Sequence, residues 1–171
     1  MTIKTAVEKE KFYNAATKEK ALRAAALDLG NRARNDQLVH WVIKLREHYL
    51  IEYRNDVASY GDLDCLYPSA GKCGIFHDFI YIMVDQDAVW KPMSIPKNTN
   101  TGFHRYDETF SGAKVDWTDD QFLHRGITVP YKSAQPYHLD IKNFIPTDII
   151  DLGRKFDINI LEKVNQRDAR L

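Results

Sequence analysis

Cysteine, glycine and proline are scarce in this chain of 171 residues, which has 2 Cys, 8 Gly and 6 Pro. Two cysteines exclude a secreted scaffold held together by disulfides. The low Gly and Pro content, together with the lack of repeats, excludes fibrous and low-complexity classes. Because 44% of the residues are hydrophobic and 28% charged, the composition is that of a folded globular domain.

The chain also lacks net charge and long apolar segments. Lys plus Arg and Asp plus Glu both number 24, so no overall field attracts nucleic acid, although a local basic patch leaves room for it as a secondary partner. No apolar stretch approaches the roughly 18 residues that a membrane-spanning helix needs. No segment has the pattern of a secretory signal. We therefore predict a cytoplasmic protein that makes no membrane contact.

The first third of the chain has helical periodicity. We predict helices over 5–16, over 18–29 with Thr17 as its cap and Gly30 at its end, and over 36–54. The third is the strongest, because Leu38, Trp41, Val42, Leu45 and Tyr49 share one face at about 100° per residue. A face this broad predicts a helix near the centre of the fold.

The middle of the chain is rich in β-branched and aromatic residues between turn signals. The run IFHDFIYIMV predicts a central strand, and shorter runs predict further strands, one of them interrupted at Pro92. The predicted strands are 75–84, 88–95, 103–110, 113–117, 122–130 and 136–141.

The sequence of residues 146–171 predicts a C-terminal helical segment that is interrupted near Gly153. The order of these elements, with helices first, then strands joined by short connections, then a helix, is typical of an α+β fold. We predict a mainly antiparallel sheet of about five strands. We assign 1–171 to a single domain, with a helical part (1–56), a sheet part (57–145) and a C-terminal helical part (146–171).

Both cysteines and one histidine lie just before or within the longest apolar run. The spacing of Cys65, Cys73 and His77 matches structural zinc sites poorly, and His104 would have to supply a fourth ligand. Alternatively, Cys73, beside Lys72, is a nucleophile if a neighbouring cation lowers the pKa of its thiol. The plainer interpretation, which we favour, is that all three are structural residues.

Two His-Arg pairs form a second constellation. If the strands 103–110 and 122–130 are neighbours, His104 and His124 share a face, and Arg105 or Arg125 binds a phosphate. Such a site cleaves a phosphodiester by acid–base catalysis without a metal. The surrounding carboxylates provide a further alternative, a divalent-cation site. A solvated sheet face with mixed charges is the simplest explanation. The carboxylates are Asp107, Glu108, Asp116, Asp119 and Asp120.

Aromatic residues in predicted loops and edge positions form a third pattern. Tyr and Trp at a surface are favoured anchors of protein interfaces, although the same residues serve equally as core. The anchors we name are Trp90, Trp117, Tyr131 and Tyr137.

No motif in the chain names a reaction, which favours a non-enzymatic role with no cofactor. We predict a protein that binds a macromolecular partner, a protein first of all, and acts by steric occlusion as an inhibitor, an immunity or anti-defence factor, or an adaptor. The alternative is a metal-independent nuclease or phosphodiesterase that uses the histidine pair.

Overall fold

The structure is a computed structural model, and it describes residues 5–84, 90–98, 101–138 and 143–168. Six helices and four strands lie in these ranges. None of the helices in the described ranges is both long and apolar enough to cross a membrane. In chain order the elements are α1 (Ala6–Ala26), α2 (Arg32–Tyr60), α3 (Cys73–Val84), β1 (Trp90–Asn98), β2 (Gly102–Thr109), β3 (Lys114–Val115), α4 (Asp120–Leu123), β4 (Gln135–Pro136), α5 (Thr147–Lys155) and α6 (Ile160–Asp168).

The two predicted N-terminal helices form one helix, α1. Its cap is Thr5, whose hydroxyl accepts from the backbone N–H of Glu8 while the Glu8 carboxylate accepts from the Thr5 N–H. This reciprocal pair satisfies two first-turn amides. Thr17 lies inside the helix, and its hydroxyl donates to the Tyr13 carbonyl. The prediction of a cap at Thr17 was therefore wrong.

The strongest predicted helix is confirmed and is longer than expected. α2 begins after Asn31, whose side chain accepts from the Arg34 N–H at 2.7 Å. It ends at Gly61, which has φ 85°, a conformation that glycine adopts without strain. The five residues assigned to its apolar face are all buried.

The strand predicted over 75–84 was wrong, because these residues form most of helix α3. Every residue from Phe76 to Val84 is buried. A helix buried on all sides is apolar all round, so its sequence lacks the 3.6-residue period that marks a surface helix. A short apolar run of this kind has the same composition as a central strand, and periodicity cannot separate the two.

An antiparallel sheet of four strands in the order β3-β2-β1-β4 confirms the α+β class. β1 and β2 form its centre, with Ile95 opposite His104 and Trp90 opposite Thr109. The predicted strand 122–130 was wrong: its residues form part of the short helix α4 and the turn after it. The predicted strands 113–117 and 136–141 shrink to β3 and β4, and part of the latter prediction lies outside the described residues.

Two apolar clusters lie against the sheet. The larger surrounds α3, which contacts α2, β2, α5 and α6. The smaller covers the opposite side and contains Ile95, Tyr106, Phe122 and Val129. α3 is thus the central helix, and its first residue, Cys73, lies where the helix begins beside β2.

Candidate active site

Cys73 is the first residue of α3. Gly71, with φ 71°, turns the chain into the helix, and the Lys72 carbonyl accepts from the Phe76 N–H at 2.9 Å. The first-turn amides of a helix point away from its carbonyls, and the helix dipole favours a negative charge there. Cys73 is partly exposed. A helix start is therefore a favourable place for a reactive thiolate.

His104 lies beside this thiol, on strand β2. Its side chain is fully buried, and Nε2 lies 2.6 Å from Oδ2 of Asp116. An imidazole facing a carboxylate carries its proton on that nitrogen. Its other nitrogen, Nδ1, is buried and makes no well-aligned hydrogen bond with any described residue. The imidazole lies close enough to Cys73 for the two groups to shift each other's pKa. Long, poorly aligned contacts between nucleophile and base are common before substrate binds.

Asp116 follows β3 directly and is held by three donors. Besides His104, the Tyr131 hydroxyl donates to Oδ2 at 2.9 Å and the Thr118 N–H donates to Oδ1 at 3.1 Å. Burial opposes the charge of Asp116, but His104, Lys20 and the Thr118 amide outweigh it and lower the pKa of this carboxyl. The carboxylate is thus ionised and fixed in place.

Each group in this row shifts the pKa of the next, from Asp116 to His104 and from His104 to Cys73. Burial alone lowers the pKa of His104, but the charge and hydrogen bond of Asp116 raise it to about 10, with a smaller contribution from Cys73. Burial likewise raises the pKa of the Cys73 thiol, but His104 and the Arg105 backbone N–H outweigh it and lower this pKa. Both shifts act in the same sense, toward a thiolate beside an imidazolium.

A second, fully buried group of side chains holds the segments that carry Cys73 and Asp116. Arg46 on α2 forms a bidentate pair with Asp120 on α4, at 3.0 and 2.9 Å, and donates to the Trp117 carbonyl. Asp120 also accepts from the Tyr67 hydroxyl at 2.7 Å. Because Trp117 follows Asp116 and Tyr67 precedes the Cys73 turn, this pair fixes the nucleophile and the carboxylate relative to each other.

The predicted zinc ligands do not come together. Cys65 is exposed, and His77 Nδ1 lies 3.1 Å from Oδ2 of Asp107. Among the described residues, no group of three or more His, Cys, Asp or Glu side chains is arranged to hold a metal ion. The described part of the chain thus gives no support to a metal site at these cysteines or at the carboxylates around His104.

The predicted histidine pair does not lie on neighbouring strands, since the strand that was to carry His124 does not form. His124 follows α4, stacks on Tyr67 with ring centroids 3.9 Å apart, and donates from Nδ1 to the Asp120 carbonyl. Burial lowers its pKa, whereas that of His104 is raised. Arg125 lies exposed on the turn after His124, and Arg105 pairs with Asp78 on α3 at 3.0 Å.

Of the four predicted interface anchors, the two tryptophans are core residues. Trp90 is 2% exposed and Trp117 is 3% exposed, and they pack together in the cluster around α3. Since an anchor has to reach a partner, the prediction was wrong for both. Tyr131 and Tyr137 are partly exposed; Tyr131 binds Asp116, and the Tyr137 ring lies 4.1 Å from the Arg105 guanidinium carbon.

Sequence reasoning identified Cys73 as a possible nucleophile and His104 as a possible acid–base residue but did not pair them. Asp116 entered only as one of several carboxylates. The missed signal is Gly-Lys-Cys-Gly directly before an apolar run: a turn followed by a buried helix places the cysteine at a helix start.

Comparison with protein families, with curated proteins and with solved structures found no match to this chain. The functional argument therefore depends on the geometry of Cys73, His104 and Asp116.

Proposed function

We propose that this protein is a cysteine-dependent acyl-transfer enzyme, in which Cys73 is the nucleophile and His104 the general acid–base. Asp116 is a positioning residue that acts through His104. One observation carries the proposal: a partly exposed cysteine at a helix start interacts with a buried histidine whose far nitrogen is held by a buried carboxylate. Such a row of nucleophile, base and orienting group is recognised by geometry, independently of fold.

The first half of the reaction forms a thioester. The Cys73 thiolate attacks the carbonyl carbon of an amide or ester, and a carbon–sulfur bond forms while the carbonyl electrons move to oxygen. The first-turn N–H groups of α3 are suited to stabilise this oxyanion. When the tetrahedral intermediate collapses, the bond to the leaving group breaks, and the imidazolium of His104 gives the leaving nitrogen or oxygen its proton.

The second half regenerates the thiol. His104, now neutral, takes a proton from water or an amine as that molecule attacks the thioester carbon. The carbon–sulfur bond breaks, the thiolate leaves, and the imidazolium is restored. Asp116 stabilises that imidazolium and keeps its N–H on the far nitrogen, so that Nδ1 faces the reaction. A water acceptor makes the enzyme a hydrolase, and an amine acceptor makes it a transferase.

Trapping of the acyl-enzyme tests this proposal directly. The chain is mixed with p-nitrophenyl acetate, and nitrophenol release is followed while peptide mass spectrometry locates the acetyl group. We expect a burst of nitrophenol and one acetyl group on Cys73, because a lowered thiol pKa increases the fraction present as the nucleophilic thiolate. Cys65→Ser is the matched control and keeps the burst, whereas Cys73→Ser loses it. Acetylation confined to Cys65, or no burst from the unaltered chain, would contradict the proposal.

The binding role predicted from the sequence stays a prediction. Two of the four residues predicted to anchor a partner are buried, which weakens this role. The nuclease alternative needs His104 and His124 on neighbouring strands, an arrangement that the fold does not contain among the described residues.

A further inference from the structure

Arg105 lies next to the nucleophile, at the point where β2 meets the start of α3. The Cys73 sulfur lies 3.8 Å from the carbonyl oxygen of Phe103, and the Arg105 backbone N–H interacts with the same sulfur. The residue after the nucleophile is Gly74, and a Cβ placed there would lie 3.5 Å from Nη1 of Arg105. A side chain at Gly74 would therefore lie against the guanidinium, and glycine leaves that space open.

Aromatic rings and a carboxylate hold this guanidinium in one orientation. The Arg105 carbon lies 4.1 Å from the centre of the Tyr137 ring and 5.2 Å from that of Phe103. Asp78 accepts from Nη1 at 3.0 Å. A guanidinium fixed this way loses little side-chain entropy when it binds a further group.

The hydrogen-bonding capacity of Arg105 is only partly used. A guanidinium has five N–H donors, and the buried Nε has no hydrogen-bond partner among the described residues. The Arg105 side chain is 20% exposed, whereas the carboxylate of Asp78, its ion-pair partner, is 4% exposed. The cation is therefore more accessible than the carboxylate that balances its charge.

From these observations we propose that Arg105 makes the site selective for acyl substrates that carry a carboxylate close to the reacting carbonyl. This inference rests on the function proposed for Cys73. The guanidinium binds the carboxylate through its free N–H groups, in the geometry that arginine offers to planar anions. The exposed Phe103 ring provides an apolar contact on the same side.

Two alkylating reagents of nearly equal size test this selectivity without knowledge of the natural substrate. Iodoacetate carries a carboxylate and iodoacetamide carries a neutral amide. Both react by the same displacement, in which the thiolate forms a carbon–sulfur bond and iodide leaves. We expect the ratio of the iodoacetate rate to the iodoacetamide rate to fall about tenfold when Arg105 is replaced, the effect of one hydrogen bond between charged groups.

The variant is the double change Arg105→Gln with Asp78→Asn. Replacing Arg105 alone would leave a buried carboxylate without its partner, a change that endangers folding. The matched control is Lys72→Gln, which removes the other cation next to Cys73. The Lys72 ammonium lies 5.1 Å from the Tyr49 ring centre, so we expect this change to leave the ratio unaltered.

A measurement on the unaltered chain tests the same inference even if the double variant fails to fold. Succinate is expected to slow the alkylation of Cys73 by iodoacetamide, and succinamide is not. Equal protection by the two compounds would overturn the inference, as would an unchanged rate ratio in a folded double variant. If instead both reagents modify Cys73 of the unaltered chain as slowly as an ordinary thiol, the proposed nucleophile fails, and the selectivity fails with it.

Discussion

At the scale of single residues, the two ring nitrogens of His104 have different neighbours. Nε2 faces the buried carboxylate of Asp116, and Nδ1 is left for the thiol of Cys73. His77 also pairs with a buried carboxylate, that of Asp107, but it lies one turn further along α3. Its pKa is raised in the same direction, against burial, by Asp107. The two histidines therefore share the direction of their pKa shift and differ in their position relative to a thiol.

Asp116→Asn tests the coupling between carboxylate and thiol. Loss of the negative charge lowers the pKa of His104, so less imidazolium is present at neutral pH and the pKa of the Cys73 thiol rises. The direct repulsion between Asp116 and Cys73 acts the other way but is a lesser cause. We expect the pH profile of iodoacetamide alkylation to move to higher pH, and the rate at neutral pH to fall about tenfold for a shift of one unit.

Asp119→Asn is the matched control for that measurement. Asp119 pairs with Lys20 and makes no contact with His104 in the described part of the chain, so its replacement should leave the profile in place. A profile unmoved by Asp116→Asn, in a protein that keeps its fold, would separate Asp116 from the reactivity of Cys73.

At the scale of elements, the packing of α5 against α6 depends on a glycine. A Cβ at Gly153 would lie 2.4 Å from Cγ1 of Ile160 and 2.9 Å from the carbonyl oxygen of Ile158. Ile149, Leu152 and Ile160 are all buried in the cluster around α3. The two short helices thus close one side of the core, and they approach each other at a residue without a side chain.

Gly153→Ala is expected to destabilise the protein even though alanine is the better helix former. In an open helix interior the change gains roughly 0.5–1 kcal/mol, but here the new methyl meets backbone and a buried side chain. Overpacking of a core costs typically about 1–3 kcal/mol, so we expect a lower free energy of unfolding in urea. Asp151→Ala, on the exposed side of the same helix, should change it by less than about 0.5 kcal/mol. Equal values for both variants would contradict the packing argument.

At the scale of the whole molecule, Arg46 and Asp120 join the helical N-terminal part to the sheet part. Burial alone raises the pKa of Asp120, but Arg46, Lys20 and Tyr67 outweigh it and lower this pKa. A carboxyl whose folded pKa lies below the unfolded value of about 3.9 stabilises the fold above that pH, and the contribution is lost as pH falls through the folded pKa. The stabilisation that the Arg46–Asp120 pair provides between these two parts is therefore lost in acid.

Removing one partner of this pair should be far more damaging than removing both. Arg46→Met leaves the Asp120 carboxylate buried and uncompensated, and we expect the free energy of unfolding to fall by about 3–5 kcal/mol. The double change Arg46→Met with Asp120→Leu should recover part of that loss, because no isolated charge remains buried. Urea unfolding at neutral pH measures both. A double variant that loses as much as the sum of the two single changes would contradict the coupling.

Composition and local sequence pattern by themselves determined the fold class and several of its elements. The α+β class, the buried face of α2 and the strand that carries His104 follow from periodicity and side-chain type, which depend on neighbours a few residues apart. The identity of the 75–84 run did not follow, since a fully buried helix and a central strand are both apolar throughout. Single-domain organisation and cytoplasmic location stay predictions.

Only the tertiary structure decided which polar residues meet. Cys73, His104 and Asp116 lie on a helix, on a strand and just after another strand, 31 and 12 residues apart along the chain. The pairing depends on how α3 packs on β2 and how β3 joins the sheet. Neither the spacing of the three residues nor their flanking sequence records that packing. The physical reason is that a thiol, an imidazole and a carboxylate acquire their shifted pKa values from groups that are distant in sequence and close in space.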